Sequence, residues 1–401
     1  MAHRDTGPPP TLVLKRREDA RIRAGHCWVF SNEVDTASTP LTAIEPGAAV
    51  RVLDHRGQFL AHALCNPHAL ICARVMSTDE SRPVDSSLLA DRLRAALALR
   101  ERYVGGSHYR LVYGESDGLP GLVIDRYGAV LVGQIATLAM EQRKELIAAA
   151  LGQVFADLQL VWKNDGNSRD LESLPRESLA VRGQMPDTLE VREEGLCFTV
   201  PLAEGQKTGW FYDQTANRAR LRRMLRPGSR VLDVCSYAGG WGVSALARGA
   251  AAALCVDSSA TALEWAQRNA GDNRLELEVR RGDAFDVLSA LAGEGRRFDV
   301  LVVDPPAFIK RRKDLPRGIA AYRKLNQLAM QVAADEALLV SCSCSWHLPS
   351  DSFVELLQSA AVHAGRTLRF IDTRGQSADH PVHPAMPETR YLKALFGHVS
   401  R

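Results

Sequence analysis

The sequence predicts an α/β protein in three parts: a small β-barrel over residues 1–80, a small α+β domain over 81–194, and a doubly wound, mostly parallel sheet over 195–401. Three observations carry this reading. Beyond about Thr199, short and wholly apolar runs alternate with helical stretches, as expected of parallel strands covered on both faces. Residues 11–76 instead alternate brief apolar runs with closely spaced turn signals, which suggests a small barrel or sandwich. Between them, one helical stretch is followed by strand-like pieces and polar connections.

The elements follow in order. Trp28-Val29-Phe30 and Ala49 to Leu53 read as strands, separated by Pro46-Gly47 and followed by Arg56-Gly57. Asp85 or Ser86 can cap a helix reaching about Tyr103, with Leu88, Leu89, Leu93, Ala96 and Leu97 on one side. Strand pieces come next at Leu111–Tyr113, Leu122–Ile124 and Val130–Val132, then a helix from about Glu141 to Phe155. The parallel set comprises Val231–Val234, Ala253–Asp257, Leu277–Val279, Val300–Asp304 and Ala337–Val340.

Composition narrows the class. Hydrophobic residues make up 46% and charged residues 24% of 401, an ordinary globular balance. No apolar run approaches the ~20 residues that span a bilayer, so no membrane role is expected. The polar start, ending in Pro8-Pro9-Pro10, reads as a frayed cytoplasmic N-terminus. A net charge of +3 says nothing by itself about nucleic acid. Cys27, Cys65, Cys72, Cys197, Cys235, Cys255, Cys342 and Cys344 are scattered and lack zinc spacing, so no metal is expected.

The ends of the parallel strands carry the chemistry. Asp233 to Gly242 (Asp-Val-Cys-Ser-Tyr-Ala-Gly-Gly-Trp-Gly) follows a strand and opens a helix, where open α/β sheets bind ligands. Glycine there allows close backbone approach. Asp257 ends the next strand and can accept from both hydroxyls of a ribose. Asp283, after the third strand, can take an adenine amino group. A nicotinamide enzyme shares the loop and acid, but the strict Gly-x-Gly-x-x-Gly spacing is absent. Asp233, and Asp304-Pro305-Pro306 after the fourth strand, favour S-adenosylmethionine. The candidate cofactor residues are therefore Asp233, Ser236, Tyr237, Gly239, Gly240, Asp257, Ser258, Asp283, Ala284, Asp304 and Pro305.

The acceptor lies beyond them. Asp304 stands on a rigid Pro-Pro loop, and Phe308 can stack on a target ring or pack in the core. Ser341-Cys342-Ser343-Cys344-Ser345 follows the fifth strand on the same sheet edge. A cysteine there is either a buried core residue or a nucleophile facing a base held over Asp304. A thiolate adding to carbon 6 of cytosine makes carbon 5 nucleophilic. Lys310, Arg311, Arg312 and Lys313 are either a solvated loop or a phosphate grip beside the base. Lys15 and Arg21 pose the same choice in the N-terminal barrel. Arg218, Arg220, Arg222, Arg223 and Arg226 read as a solvated helix face.

Together these motifs resemble the bacterial 23S rRNA cytosine-C5 methyltransferases that carry an N-terminal PUA domain before a Rossmann-like, class I methyltransferase domain. The resemblance spans nearly all of 11–399. It rests on Gly114 to Gly128, Lys207-Thr208-Gly209 with Asp213-Gln214, Ser236 to Gly240, Asp304-Pro305-Pro306 with Phe308, Ser343 to Ser345, Ala378 to Pro381, and Tyr391 to Lys393. It implies that Cys344 is the nucleophile and Cys342 a core residue. It adds Lys207, Thr208, Phe211, Asp213 and Gln214 as a segment closing over the cofactor. His380 and Lys393 match family positions without an assigned role. The implied partner is 23S rRNA or a large-subunit assembly intermediate, and a homodimer is suggested. Cys27, Thr215 and Lys163-Asn164-Asp165 depart from the family pattern. Other base chemistries (guanine-N7 or an exocyclic amine), a non-catalytic RNA-binding assembly factor and small-molecule methylation are the competing readings; intact strand-end acids argue against the second, and the extra N-terminal domains against the third.

Overall fold

The computed structural model describes residues 9–155, 157–203, 205 and 208–401. The chain forms two compact units: Met1–Asp187 with Gln206–Thr208 and Asp379–Thr389, and Thr188–Gly205 with Gly209–Ala378 and Arg390–Arg401.

The first unit holds two five-stranded sheets. In one, the order is Thr11–Val13, Ala49–Leu53, Phe59–Cys65, Ile71–Ser77, Trp28–Phe30. A bridge from Leu14 to Val34 joins the continuations of the two outer strands, closing the sheet on itself. Leu12, Leu14, Val29, Val50, Val52 and Ala63 fill its interior. This is the small barrel that the turn spacing predicts.

In the other sheet the order is Glu177–Arg182, Gln159–Asn164, Val130–Ile135, Leu122–Tyr127, His108–Tyr113, with only the pair 130–135 and 159–164 parallel. The helix Ser86–Tyr103 starts where Asp85 accepts a hydrogen bond from Leu88 N at 2.8 Å, satisfying an orphan donor of the first turn. It buries Leu89, Leu93 and Ala96 in a core shared with Ile147 and Trp162. The helix expected from 141 to 155 is two pieces, Leu138–Glu141 and Lys144–Val154. Arg143 leaves helical geometry at the break and donates to Gly47 O and Ala139 O.

The Asp379-His380 pair is tied into the packing of this unit. Asp379 accepts from Arg110 N with its side chain (2.9 Å) and from Arg100 Nη2 with its carbonyl (2.8 Å). His380 is buried beside Asp379 with its ring against Tyr113.

The second unit is built on a seven-stranded sheet: Glu278–Arg281, Ala252–Asp257, Arg230–Val234, Phe298–Val303, Ala333–Ser343, Lys393–Ser400, Thr367–Arg374. The first five are parallel, and Lys393–Ser400 runs antiparallel to both neighbours. This is the doubly wound sheet the sequence predicts. Apolar cores lie on both faces. One gathers Val234, Leu254, Leu288, Leu301 and Leu325, the other Val231, Trp241, Val300, Val340 and Phe396. Chain order reverses between Arg230–Val234 and Phe298–Val303. In open α/β sheets ligands bind at such a reversal, beyond the carboxyl ends of the strands. The hairpin Thr188–Glu193 and Leu196–Pro201 belongs to this unit, with Thr199 N donating to Asn269 Oδ1 at 2.7 Å.

Candidate active site

The glycine loop is held tightly. Cys235, Tyr237 and Gly239 all have left-handed backbone (φ 64°, 48° and 80°). A Cβ on Gly239 would come within 3.0 Å of Ala266 Cβ, so conformation and space both require glycine. Asp233 lies beneath the loop. It is fully buried, and its Oδ2 accepts from Gly242 N at 3.0 Å. Burial, reinforced by Asp304 and Asp257, pushes its carboxyl up to about 7. Through that bond Asp233 braces the loop from beneath.

Asp257 accepts from Tyr237 N and Ser259 N, each at 3.0 Å, one on each oxygen. Each oxygen keeps a further lone pair for a diol. Asp283 is exposed and caps the helix Ala284–Gly293 through Phe285 N at 2.8 Å. Ser258 is exposed next to Asp257, and Ser236 is buried inside the loop.

The segment after Thr208 approaches the same loop. Tyr237 Oη donates to Gly209 O at 3.0 Å, and the Phe211 ring meets Tyr237 edge-on. Asp213 is buried and accepts from Tyr391 Oη. Gln214 Nε2 lies 3.1 and 3.0 Å from the two oxygens of Asp304. Thr208 is placed otherwise: it is grouped with the first unit, fully buried, its hydroxyl donating to Asp125. Lys207 lies outside the described residues.

Arg218 corrects the reading of the arginine-rich helix. It is buried, with Nε 2.6 Å from Glu193 Oε1 and Nη2 2.5 Å from Oε2, over the Trp210 ring. The same Glu193 accepts from Trp210 Nε1 (3.2 Å) and from Thr215 Oγ1 (2.9 Å), which gives the unusual Thr215 its function. Helical periodicity alone did not reveal that one of five arginines points inward toward a distant hairpin.

Asp304 and Cys344 stand on loops from neighbouring strands. Asp304 Oδ2 also accepts from Trp241 Nε1 at 3.1 Å. Cys344 is half-buried, with Sγ 4.0 Å from the carbonyl of Pro305, the residue after Asp304. Cys342, in contrast, is fully buried, and burial drives its thiol far above the ordinary range.

Two further residues flank Cys344. Lys393 pairs with Ser343 across the antiparallel ladder, and its Nζ donates to Ser345 O (2.6 Å) and Leu348 O (3.0 Å). Burial lowers its ammonium to about 8, and the charge of Cys344 opposes that shift. Its motif was visible in sequence, but its proximity to Cys344 depends on strand register. Trp346 is the second, 41% exposed on the turn after Ser345.

The expected RNA contacts separate. Phe308 is half-buried, 4.7 Å from the Tyr322 ring and 6.4 Å from Phe285. Lys310, Arg311 and Arg312 are exposed, and Arg311 N donates to Asp314 Oδ2. In the barrel, Lys15 Nζ donates to Asn32 O at 2.8 Å, and Arg21 pairs with Glu33 beneath the Phe30 ring. Among the described residues, no group of three or more His, Cys, Asp or Glu side chains could hold a metal ion.

Residues 12–78 match the family profile of the PUA-like domain, and residues 218–337 match one described as conserved hypothetical protein 95. The chain is 36% identical over 393 residues to ribosomal RNA large subunit methyltransferase I of Salmonella arizonae, covering 96% of each chain. It is 35% identical to the protein of that name in Cronobacter sakazakii, covering 97% of this chain and 99% of that one. Its fold superimposes on a methyltransferase solved with SAH (TM-score 0.83, 19% identity, 97% of this chain and 100% of that one). It also superimposes on a SAM-dependent methyltransferase from Streptococcus mutans (TM-score 0.81, 19% identity, the same coverage).

Proposed function

The chain belongs to the ribosomal RNA large subunit methyltransferase I family, and from that premise we propose that it methylates carbon 5 of one cytosine in 23S rRNA through a covalent Cys344 adduct. S-adenosylmethionine is the methyl donor; its sulfonium supplies an electrophilic methyl group. The residues at the sheet edge fit it. Asp257 has acceptor capacity for the ribose hydroxyls, and Asp283 for the adenine amine. Phe211 and Gln214 line the same edge through Tyr237 and Asp304.

The observation that carries the cytosine reading is the juxtaposition of Cys344 and the Asp304 loop. Carbon 5 of cytosine is a poor nucleophile. Addition of the Cys344 thiolate to carbon 6 makes carbon 5 enamine-like and able to take a methyl group. Asp304, steadied by Gln214 and Trp241, gives its carboxyl proton to ring nitrogen 3 as the sulfur adds, accepts from the exocyclic amine, and takes that proton back when the sulfur leaves. Loss of the carbon 5 proton to a base then lets the ring electrons expel the sulfur, and aromaticity returns. The Lys393 ammonium holds the turn after Cys344 and favours the thiolate by its charge. Lys15, Arg21 and the Lys310–Arg312 run contribute phosphate contacts that offset the cost of unstacking the target.

Mass spectrometry of rRNA incubated with and without the protein tests the assignment. The expected product is one 5-methylcytosine in 23S rRNA. RNA carrying 5-fluorocytosine should give a stable adduct with the native chain and none with Cys344→Ala. Full turnover by Cys344→Ala, or a methyl group on a guanine, would overturn it.

A further inference from the structure

We propose that Trp346 is a stacking platform for the RNA base that neighbours the target nucleotide. A tryptophan carries a large apolar surface that folding normally buries, yet Trp346 stays 41% exposed two residues beyond Cys344. Its turn is held from several sides. Ser345 is buried, its hydroxyl accepting from Ile309 N (3.1 Å) and lying 3.0 Å from Tyr322 Oη. Lys393 grips the carbonyls of Ser345 and Leu348, and the Leu348 side chain is buried. The indole is thus presented by an ordered turn, with little conformational freedom to lose on binding.

The hydrogen bond from Ile309 ties this turn to the loop carrying Lys310, Arg311, Arg312 and Lys313, all exposed. An exposed aromatic ring on a turn hydrogen-bonded to a cation-bearing loop offers the two groups that hold single-stranded nucleic acid: stacking on the base, charge on the phosphate. Extruding a target base exposes the face of its neighbour, and an indole two residues from the nucleophile can cover that face. Phe308 is less suited to this, because its ring is half-buried and packs on both Tyr322 and Phe285, whereas the Trp346 ring meets the His347 ring edge-on at 4.7 Å and stays 41% exposed. The inference rests on the reading that Cys344 meets the target base.

The test compares Trp346→Ala and Trp346→Phe with the native chain on a transcribed 23S rRNA fragment, at saturating S-adenosylmethionine. Loss of one stacked base should raise KM for RNA about 5- to 140-fold in Trp346→Ala. The kcat and the calorimetric affinity for S-adenosylhomocysteine should stay within about twofold, and Trp346→Phe should fall between. An unchanged KM, or Phe no better than Ala, overturns the platform. Equal loss of S-adenosylhomocysteine affinity also overturns it, by showing a structural role. The two readings fail separately: a product other than 5-methylcytosine defeats the cytosine assignment, whereas the KM series judges Trp346 alone.

Discussion

Replacing Arg218 by alanine should destabilise the second unit by about 3–5 kcal/mol, because it strands a buried carboxylate. In the native chain Glu193 receives two charge-assisted hydrogen bonds from Arg218, at 2.6 and 2.5 Å, plus the Trp210 and Thr215 donors. Burial pushes the Glu193 carboxyl up, but the charge and hydrogen bonds of Arg218 and its other partners outweigh that and hold it below the usual range. A depressed acid contributes stability that is complete above its unfolded value near 4.5 and is lost as pH falls through the folded value. The effect should therefore be full at pH 7.5 and shrink on acidification. It should resist salt, since both partners are buried. Calorimetric melting can isolate the correct transition as the one that S-adenosylhomocysteine raises. The control is the double variant Glu193→Leu with Arg218→Met, which removes both charges and should restore most of the loss. A single-variant loss below about 1 kcal/mol, or a double variant as unstable as Arg218→Ala, would refute the argument. Arg218 also donates to Phe211 O at 3.0 Å, so the single variant should weaken donor binding as well.

Asp233→Asn tests the opposite sign. Between pH 3.8 and about 7 the unfolded Asp233 ionises while the folded one keeps its proton, so native stability falls as pH rises through that window. Asparagine removes this slope, and its relative gain should reach up to about 4 kcal/mol by pH 8; parallel stability curves for the two proteins would contradict it. Cys344→Ala should lower methylation at least about 10³-fold with donor affinity unchanged, measured by methyl incorporation and calorimetry. Lys393→Met keeps the aliphatic stem but loses the cation, so the rising limb of adduct formation against pH should move to higher pH; an unmoved limb would limit Lys393 to a structural part. Asp257→Ala should weaken S-adenosylhomocysteine binding about 10- to 150-fold, the scale of hydrogen bonds to a charged acceptor, and undiminished affinity would remove Asp257 from the site.

Much of the molecule was legible because its physics is local. Parallel strands buried on both faces must be continuously apolar, so Val231–Val234 and Val300–Val303 announced themselves, and so did the acids at their ends. The outermost strand Thr367–Arg374 did not, because an edge strand alternates half-buried and exposed residues and need not be apolar. The Ser86–Tyr103 helix carried its own cap and stripe.

The acids at the strand ends were thus already present in the one-dimensional pattern, since motif and strand end coincide, whereas the choice of Cys344 over Cys342 came from the family resemblance. Only the tertiary structure decided what surrounds them. Register opposite Ser343 puts Lys393 beside Cys344, the hairpin return brings Glu193 to Arg218, and packing on Tyr322 half-buries Phe308 while Trp346 keeps 41% of its surface exposed. Each of these depends on residues far apart in the chain meeting through sheet order and burial, and no local pattern of hydrophobicity or turn chemistry encodes which distant partner a side chain will find.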